Sequence, residues 1–282
     1  KYNLELEDGI EQKVKAIANN SHQYANGENL NFLFKILDLT TLNTDDNKND
    51  VITLCNKVSS LKHDYPELPA LAAVCVYPPF VGVVEDHLND KHIHIASVAG
   101  NFPTAQTFLN IKKAECREVI NHGADEVDVV LSVGKFLNGE YEEVYREIEE
   151  MKEAVGNKKL KVILETGLLN DYKKIQLASL IAMEAGADFI KTSTGKVKPA
   201  ATYDAVYVMS KAIKAFYGKT GKMVGIKPAG GISNVEYALS YIAIIKESLG
   251  EQWLNSSLFR IGASRLANEI ISQVTGKDVT HF

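Results

Sequence analysis

The sequence predicts an α/β chain folded as a single (β/α)8 TIM barrel with an N-terminal covering helix. Three observations carry this. The chain has 282 residues and is 45% hydrophobic, a length ordinary for such a barrel and long for most other single domains. Eight short runs rich in valine and isoleucine alternate with longer amphipathic segments. No linker or break in composition divides the chain, and no G-x-G-x-x-G follows the first apolar run, which makes a doubly wound open sheet the second choice.

In chain order, residues 1–31 are predicted as a helix and loop that pack on the barrel, residues 32–275 as the barrel, and residues 276–282 as a C-terminal tail. The opening "KYNLELEDGIEQKVKAIANN" is charged and mixed, unlike a signal peptide, and its first residue is Lys rather than Met, as a trimmed chain would have. The predicted strands are "FLFKILDLT" (32–40), "ALAAVCVY" (70–77), "HIHIASVA" (92–99), "DEVDVVLS" (125–132), "LKVILET" (160–166), "ADFIKTS" (187–193), "MVGIKPAG" (223–230) and "LFRIGAS" (258–264). Helical patterns fill the gaps. The clearest is "GEYEEVYREIEEMKEAV" (139–155), whose dense charges are expected to form a solvated face. "NHGADEVD" and "EAGADFIK" share a Gly-Ala-Asp exit from helix to strand, with glycine as the stop signal.

Composition narrows the function classes. Lys and Arg total 31 against 36 Asp and Glu, a net charge of −5, which argues against a general nucleic-acid binder. No apolar stretch approaches the ~20 residues that span a bilayer, so no membrane association is expected. Cys55, Cys75 and Cys116 are odd in number, widely spaced and without a C-x-x-C pair, which fits a reducing cytoplasm rather than a disulfide framework or a zinc site. "HIH" (92–94) puts two histidines on one strand face but offers no third ligand, so no metal is expected.

In a (β/α)8 barrel the chemistry sits where strands end and the following loops begin. Those positions here carry Asp38 and Thr40, Cys75, Asp128, Glu165, Lys191, Lys227, and the run Gly262-Ala263-Ser264-Arg265. Asp128, Lys191 and Lys227 are flanked by Val, Ile or Phe, and strand alternation then turns them toward the barrel mouth. Two lysines on adjacent strands ~4.8 Å apart bring their ammonium groups to roughly 5 Å, where they repel by ~3.3 kcal/mol at an effective dielectric of ~20. Repulsion and desolvation both favour a neutral amine. A neutral lysine attacks carbonyls and forms a Schiff base. Lys191 is thus the candidate nucleophile and Lys227 the cation that activates it. The loops "STGK" (193–196), "AGGI" (229–232) and "GASR" (262–265) bring glycine and hydroxyl residues to one rim. Close backbone approach and free helix-start amides there suit a phosphate.

The segments "DLTTLN" (38–43), "AVCVYP" (73–78), "GADEVDVV" (123–130), "KVILETG" (161–167), "ADFIKTSTGK" (187–196), "GIKPAGG" (225–231) and "FRIGAS" (259–264) resemble the deoxyribose-phosphate aldolases, a class I, Schiff-base family. The resemblance runs in order from about residue 32 to 270. It implies reversible cleavage of 2-deoxy-D-ribose 5-phosphate to acetaldehyde and D-glyceraldehyde 3-phosphate, with no metal or organic cofactor. It further implies Lys191 as the Schiff-base lysine, Lys227 as the residue that perturbs it, and Asp128 as the proton-transfer group working with a water. By the same resemblance Asp38 lies at the substrate hydroxyl, Cys75 and Thr194 line the pocket with Thr40, and Gly195, Lys196, Gly230, Gly231, Ile232 and Ser264 hold the phosphate. The partners implied by the resemblance are a small phosphorylated sugar, acetaldehyde and a second copy of the chain, since family members are often dimers. Two positions depart from the family. Arg265 stands where many members have a second serine, and it has the geometry to bind phosphate. The sequence ends in Phe282 where some members carry a tail tyrosine; the tail is expected to be disordered, with His281 as a proton shuttle the alternative. Two alternatives stay open at this stage: a weakened barrel that mainly binds, and a Schiff-base aldolase for another phosphorylated aldehyde.

Overall fold

A computed structural model describes Tyr2 and residues 6–282. Helices α1 (Ile10–Asn19) and α2 (Gly27–Lys35) precede β1 (Leu37–Thr40). There follow α3 (Lys48–Asp64), β2 (Ala73–Val76), α4 (Val81–His87), β3 (His94–Ala99), α5 (Leu109–Asn121) and β4 (Glu126–Val130). The second half holds α6 (Val133–Leu137), α7 (Tyr141–Val155), β5 (Lys159–Ile163), α8 (Thr166–Leu169), α9 (Tyr172–Glu184) and β6 (Phe189–Lys191). It ends with α10 (Tyr203–Thr220), β7 (Gly225–Lys227), α11 (Val235–Leu249), β8 (Ile261–Ala263) and α12 (Leu266–Thr275). All pairings are parallel, in the order β7-β6-β5-β4-β3-β2-β1-β8. Parallel bridges Ile226–Phe259 and Ala229–Gly262 join the two ends and close the barrel.

Each of the eight apolar runs holds one strand, β5 starting one residue ahead of its run, but the first run is strand only at its end. Residues 27–35 are helix. The Asn26 side chain accepts the Asn29 amide at 2.9 Å, capping a turn whose Leu30, Leu33 and Phe34 fall at helical spacing. Only Leu37–Thr40 remain for β1, and the expected boundary between residues 31 and 32 falls inside α2. Helix α1 buries Ile10, Val14 and Ile17 and packs on α10 and α11. In α7 the charges are not all solvated. Glu147 is buried against the equally buried Lys112 at 2.9 Å, because it lies one helical turn from Val144 and Met151 on the inward face.

The two Gly-Ala-Asp exits are built alike. The Ala124 and Ala187 amides donate back to the Val119 and Ala182 carbonyls, closing α5 and α9. The aspartates then accept an amide near the start of a neighbouring strand, Asp125 from Ile95 at 3.1 Å and Asp188 from Leu160 at 2.8 Å. This fixes strand register at the barrel's lower end.

The main core lies between strands and helices, while the barrel interior is divided. On β2 and β3 it is lined by small side chains, Ala73, Cys75, Ala96 and Val98. The room they leave is taken by long ionisable side chains from the other strands. After α12 the chain runs back along that helix. Asn268 Oδ1 accepts the His281 and Phe282 amides, and His281 Nε2 lies 2.8 Å from the Lys57 carbonyl on α3. His281 is therefore tied to the outer surface between α3 and α12, away from the barrel mouth, and the tail is held there rather than loose as expected. No described helix is long and apolar enough to cross a membrane.

Candidate active site

Register places Asp128 beside Lys161 and Lys191 beside Lys227. Alternation turns all four inward together with Asp38, Glu126 and Arg260, each at most 3% exposed. Glycines make the space. A Cβ at Gly262 would lie 3.0 Å from Lys227 Cε and 2.9 Å from Ala229 Cβ, so β8 passes Lys227 only without a side chain.

The three lysines are paired unequally. Lys161 Nζ reaches Glu126 Oε2 at 2.5 Å, Asp128 Oδ1 at 2.8 Å and Asp38 Oδ2 at 3.5 Å. Lys227 Nζ has two carboxylate oxygens, Asp38 Oδ2 at 2.6 Å and Asp128 Oδ2 at 2.9 Å. Lys191 Nζ has one, Asp128 Oδ2 at 2.7 Å. Arg260 closes the lower layer on Asp38 at 2.7 Å and Glu126 at 2.9 Å, and His94 Nδ1 meets Glu126 at 2.6 Å. His94 opens β3 and His92 lies in the turn before it. The two histidines therefore do not share a strand face as read from "HIH".

Protonation follows the pairing. Burial, the largest cause, lowers the Lys191 pKa; its one carboxylate contact with Asp128 opposes this, and the Lys227 charge adds to the lowering. Burial acts on Lys227 too, but Asp128 and Asp38 outweigh it and raise its pKa. Burial pushes the Asp128 carboxyl upward, yet Lys161, Lys191 and Lys227 together hold it well below the usual carboxylate range. Lys227 thus contributes as expected, but desolvation rather than its repulsion is the leading cause at Lys191.

A cavity of about 200 Å³ opens above Lys191. Lys191 forms part of its wall, whereas Lys161, Lys227 and Asp128 do not. Thr40, Thr194, Gly195, Lys196, Gly230, Gly231, Ile232, Ser264 and Arg265 also line it, bringing the expected binding residues to one rim. Asp38 and Cys75 are fully buried beneath it and outside its lining. Ile232 belongs both to the cavity lining and to the hydrophobic core. The loops after β6 and β7 touch. A Cβ at Gly230, where φ is +88°, would sit 2.8 Å from Ala200 Cβ and 3.0 Å from Gly195 Cα. Lys196 Nζ donates across the mouth to the Leu42 carbonyl, which also accepts the Tyr77 hydroxyl at 3.3 Å.

Sequence reasoning missed Lys161, Glu126 and Arg260, although each stands beside apolar neighbours as Lys191 does. It also missed the role of Glu165. That residue is 2% exposed with φ +53°, and it accepts the Thr194 hydroxyl at 2.5 Å and the Thr194 amide at 3.2 Å. It clasps the loop after β5 to the rim.

Residues 32–246 match the DeoC/LacD family aldolase model. The chain is 42% identical over 250 residues to a human deoxyribose-phosphate aldolase, covering 84% of this chain and 78% of the relative. A Bos taurus relative of the same name is 43% identical over 250 residues, with coverage of 84% and 78%. Among solved structures, a deoxyribose phosphate aldolase from Aeropyrum pernix, described as tetrameric, superposes with a TM-score of 0.65 at 25% identity, covering 93% of this chain and 97% of that one. A Toxoplasma gondii ME49 structure at 21% identity shares the fold with a TM-score of 0.80, covering 92% and 98%. A closed parallel barrel, a lysine poised at its mouth and these relatives agree: the chain belongs to the DeoC/LacD aldolase family.

Proposed function

We propose that the protein is a class I aldolase that reversibly cleaves 2-deoxy-D-ribose 5-phosphate to acetaldehyde and D-glyceraldehyde 3-phosphate through a Schiff base on Lys191. The observation that carries this reading is the graded pairing of the three lysines. The one with the fewest carboxylate contacts is the one that borders the cavity. Neutral Lys191 Nζ adds to the C1 aldehyde, and loss of water gives an iminium. The C3 hydroxyl gives up its proton to Asp128, through a water, while the C2–C3 bonding pair flows into the iminium. Glyceraldehyde 3-phosphate leaves and an enamine remains. Protonation at C2 and hydrolysis release acetaldehyde and restore the amine. When the Lys191 ammonium becomes an iminium it keeps one N–H in place of three, and Asp128 Oδ2, still held by Lys227 at 2.9 Å, has capacity left to accept from the water.

The rim supports a phosphorylated substrate. Lys196 and Arg265 supply charge, Ser264 a hydroxyl, and Gly195, Gly230 and Gly231 an uncluttered backbone. The same reading makes a small phosphorylated sugar and acetaldehyde the partners, with a cytoplasmic location and assembly as a homodimer. The test is steady-state release of glyceraldehyde 3-phosphate from 2-deoxyribose 5-phosphate, with Lys191→Ala as control, followed by borohydride reduction in the presence of acetaldehyde. Turnover lost in the variant and a reduced two-carbon adduct on Lys191 are expected. An adduct found only on Lys227 reverses the two lysines' roles, and a folded wild type without turnover removes the assignment.

A further inference from the structure

We propose that Lys161 is a positioning residue for the aldolase reaction: it claims one oxygen of Asp128 and leaves the other as the single anionic atom shared by Lys191 and Lys227. This rests on the function proposed above and adds a residue to it. Lys161 cannot touch a substrate, being fully buried on β5 and outside the cavity lining. Packing alone does not require a charge there, because buried ion pairs are often replaced by apolar side chains at no cost in stability. The geometry shows what an apolar residue could not do. Asp128 gives Oδ1 to Lys161 at 2.8 Å and Oδ2 to Lys191 at 2.7 Å and Lys227 at 2.9 Å. With Oδ1 held, the carboxylate can neither rotate nor offer both oxygens to the Lys191 ammonium. Lys161 is itself held from the far side by Glu126 at 2.5 Å, which is anchored in turn by Arg260 and His94.

The charge balance points the same way. Asp38, Glu126 and Asp128 face Lys161, Lys191, Lys227 and Arg260, one more cation than anions. The excess falls on the cation with one carboxylate contact, Lys191. Asp128, Lys227 and Cys75 face Lys191, with Lys161 behind Asp128. Asp128, Glu126, Asp38 and Arg260 face Lys161. Removing the Lys161 charge takes away a repulsion and leaves Asp128 less neutralised, and both changes favour protonated Lys191. Removing the Glu126 charge has the opposite sign.

The experiment is reductive trapping of acetaldehyde on Lys191 with cyanoborohydride between pH 6 and 9.5, beside steady-state cleavage, for the wild type, Lys161→Met and Glu126→Gln. Lys161→Met is expected to slow trapping about tenfold at pH 7, the effect of one unit in proton affinity, and to recover toward wild type at the alkaline end. Glu126→Gln is expected to move the half-maximal pH downward. If Lys161→Met does not fold, Glu126→Gln decides alone, and an unchanged or upward profile overturns the proposal. A folded Lys161→Met slowed by one factor at every pH also overturns it, since that is a structural defect. Absence of both trapping and cleavage in the wild type removes the aldolase reading itself. An active wild type with unshifted variants removes only the role of Lys161.

Discussion

The floor of the barrel and its rim solve opposite problems. On the floor, seven ionisable side chains are locked into pairs, with no more than 3% of any residue exposed. On the rim, Gly195, Lys196, Gly231, Ser264 and Arg265 are exposed, and glycine rather than pairing shapes the surface. The floor sets a proton's position before substrate arrives, and low dielectric makes each contact strong. The rim keeps donors available for a ligand that brings its own charge. On the proposed function, chemistry is preorganised by burial, and recognition is left to the backbone and cations of the rim.

The comparison can be broken hardest at the floor. Lys191→Ala is expected to lower kcat by about 10⁴-fold or more, as loss of a covalent nucleophile does, with an unchanged circular dichroism spectrum. Asp128→Asn comes next, with kcat down about 10²–10³-fold and a lower Tm, because three lysines lose their shared anion. Its pH signature has a definite sign. Asp128 is held below the usual carboxylate range in the fold, so its stabilisation is complete above the unfolded value of ~3.9 and is lost as pH falls through the folded one. The wild-type Tm should therefore fall toward acid more steeply than that of Asp128→Asn. Lys191 has the reverse effect. Its pKa is lowered, so it costs stability below the folded value, and that cost disappears as pH rises toward ~10.4.

Rim changes sharpen the contrast by sparing the floor. Gly230→Ala forces a side chain onto φ +88° and against Ala200. Strain of about 1–3 kcal/mol should raise KM for the phosphorylated substrate about tenfold while acetaldehyde trapping on Lys191 stays at the wild-type rate. Arg265→Ala should have the smallest effect, a rise in KM of about threefold from one exposed charge, with kcat unchanged. A rim variant that abolished trapping would show that floor and rim are not separable.

Much of this was legible in the sequence, for physical reasons that also mark its limits. Each strand announced itself because a strand buried on both faces must be apolar. Lys191, Lys227 and Asp128 stood out because a charge inside such a run needs a partner. Lys161, Glu126 and Arg260 carry the same mark, but their role depends on cross-strand register and on a reach from residue 260 to residue 126, which no local spacing encodes. The start of β1 was misread because "FLFKI" is equally apolar in either conformation, and the cap at Asn26 decided for the helix. Glu165 was opaque because its bond to Thr194 requires a left-handed residue where the chain leaves β5.

The Lys196 side chain, resting on the Leu42 carbonyl across the mouth, has a consequence for the order of events in a cycle. A neutral carbonyl is a weak holder of an ammonium, and a phosphate dianion is a strong one. On the proposed function, a phosphorylated substrate reaching Lys196 would exchange a poor contact for a good one, at the cost of the bridge between the loops after β6 and β1. On product release the ammonium would return to that carbonyl instead of an unpaired state. The Leu42 carbonyl would serve in this sense as a latch plate, standing in for the charge that the proposed substrate brings.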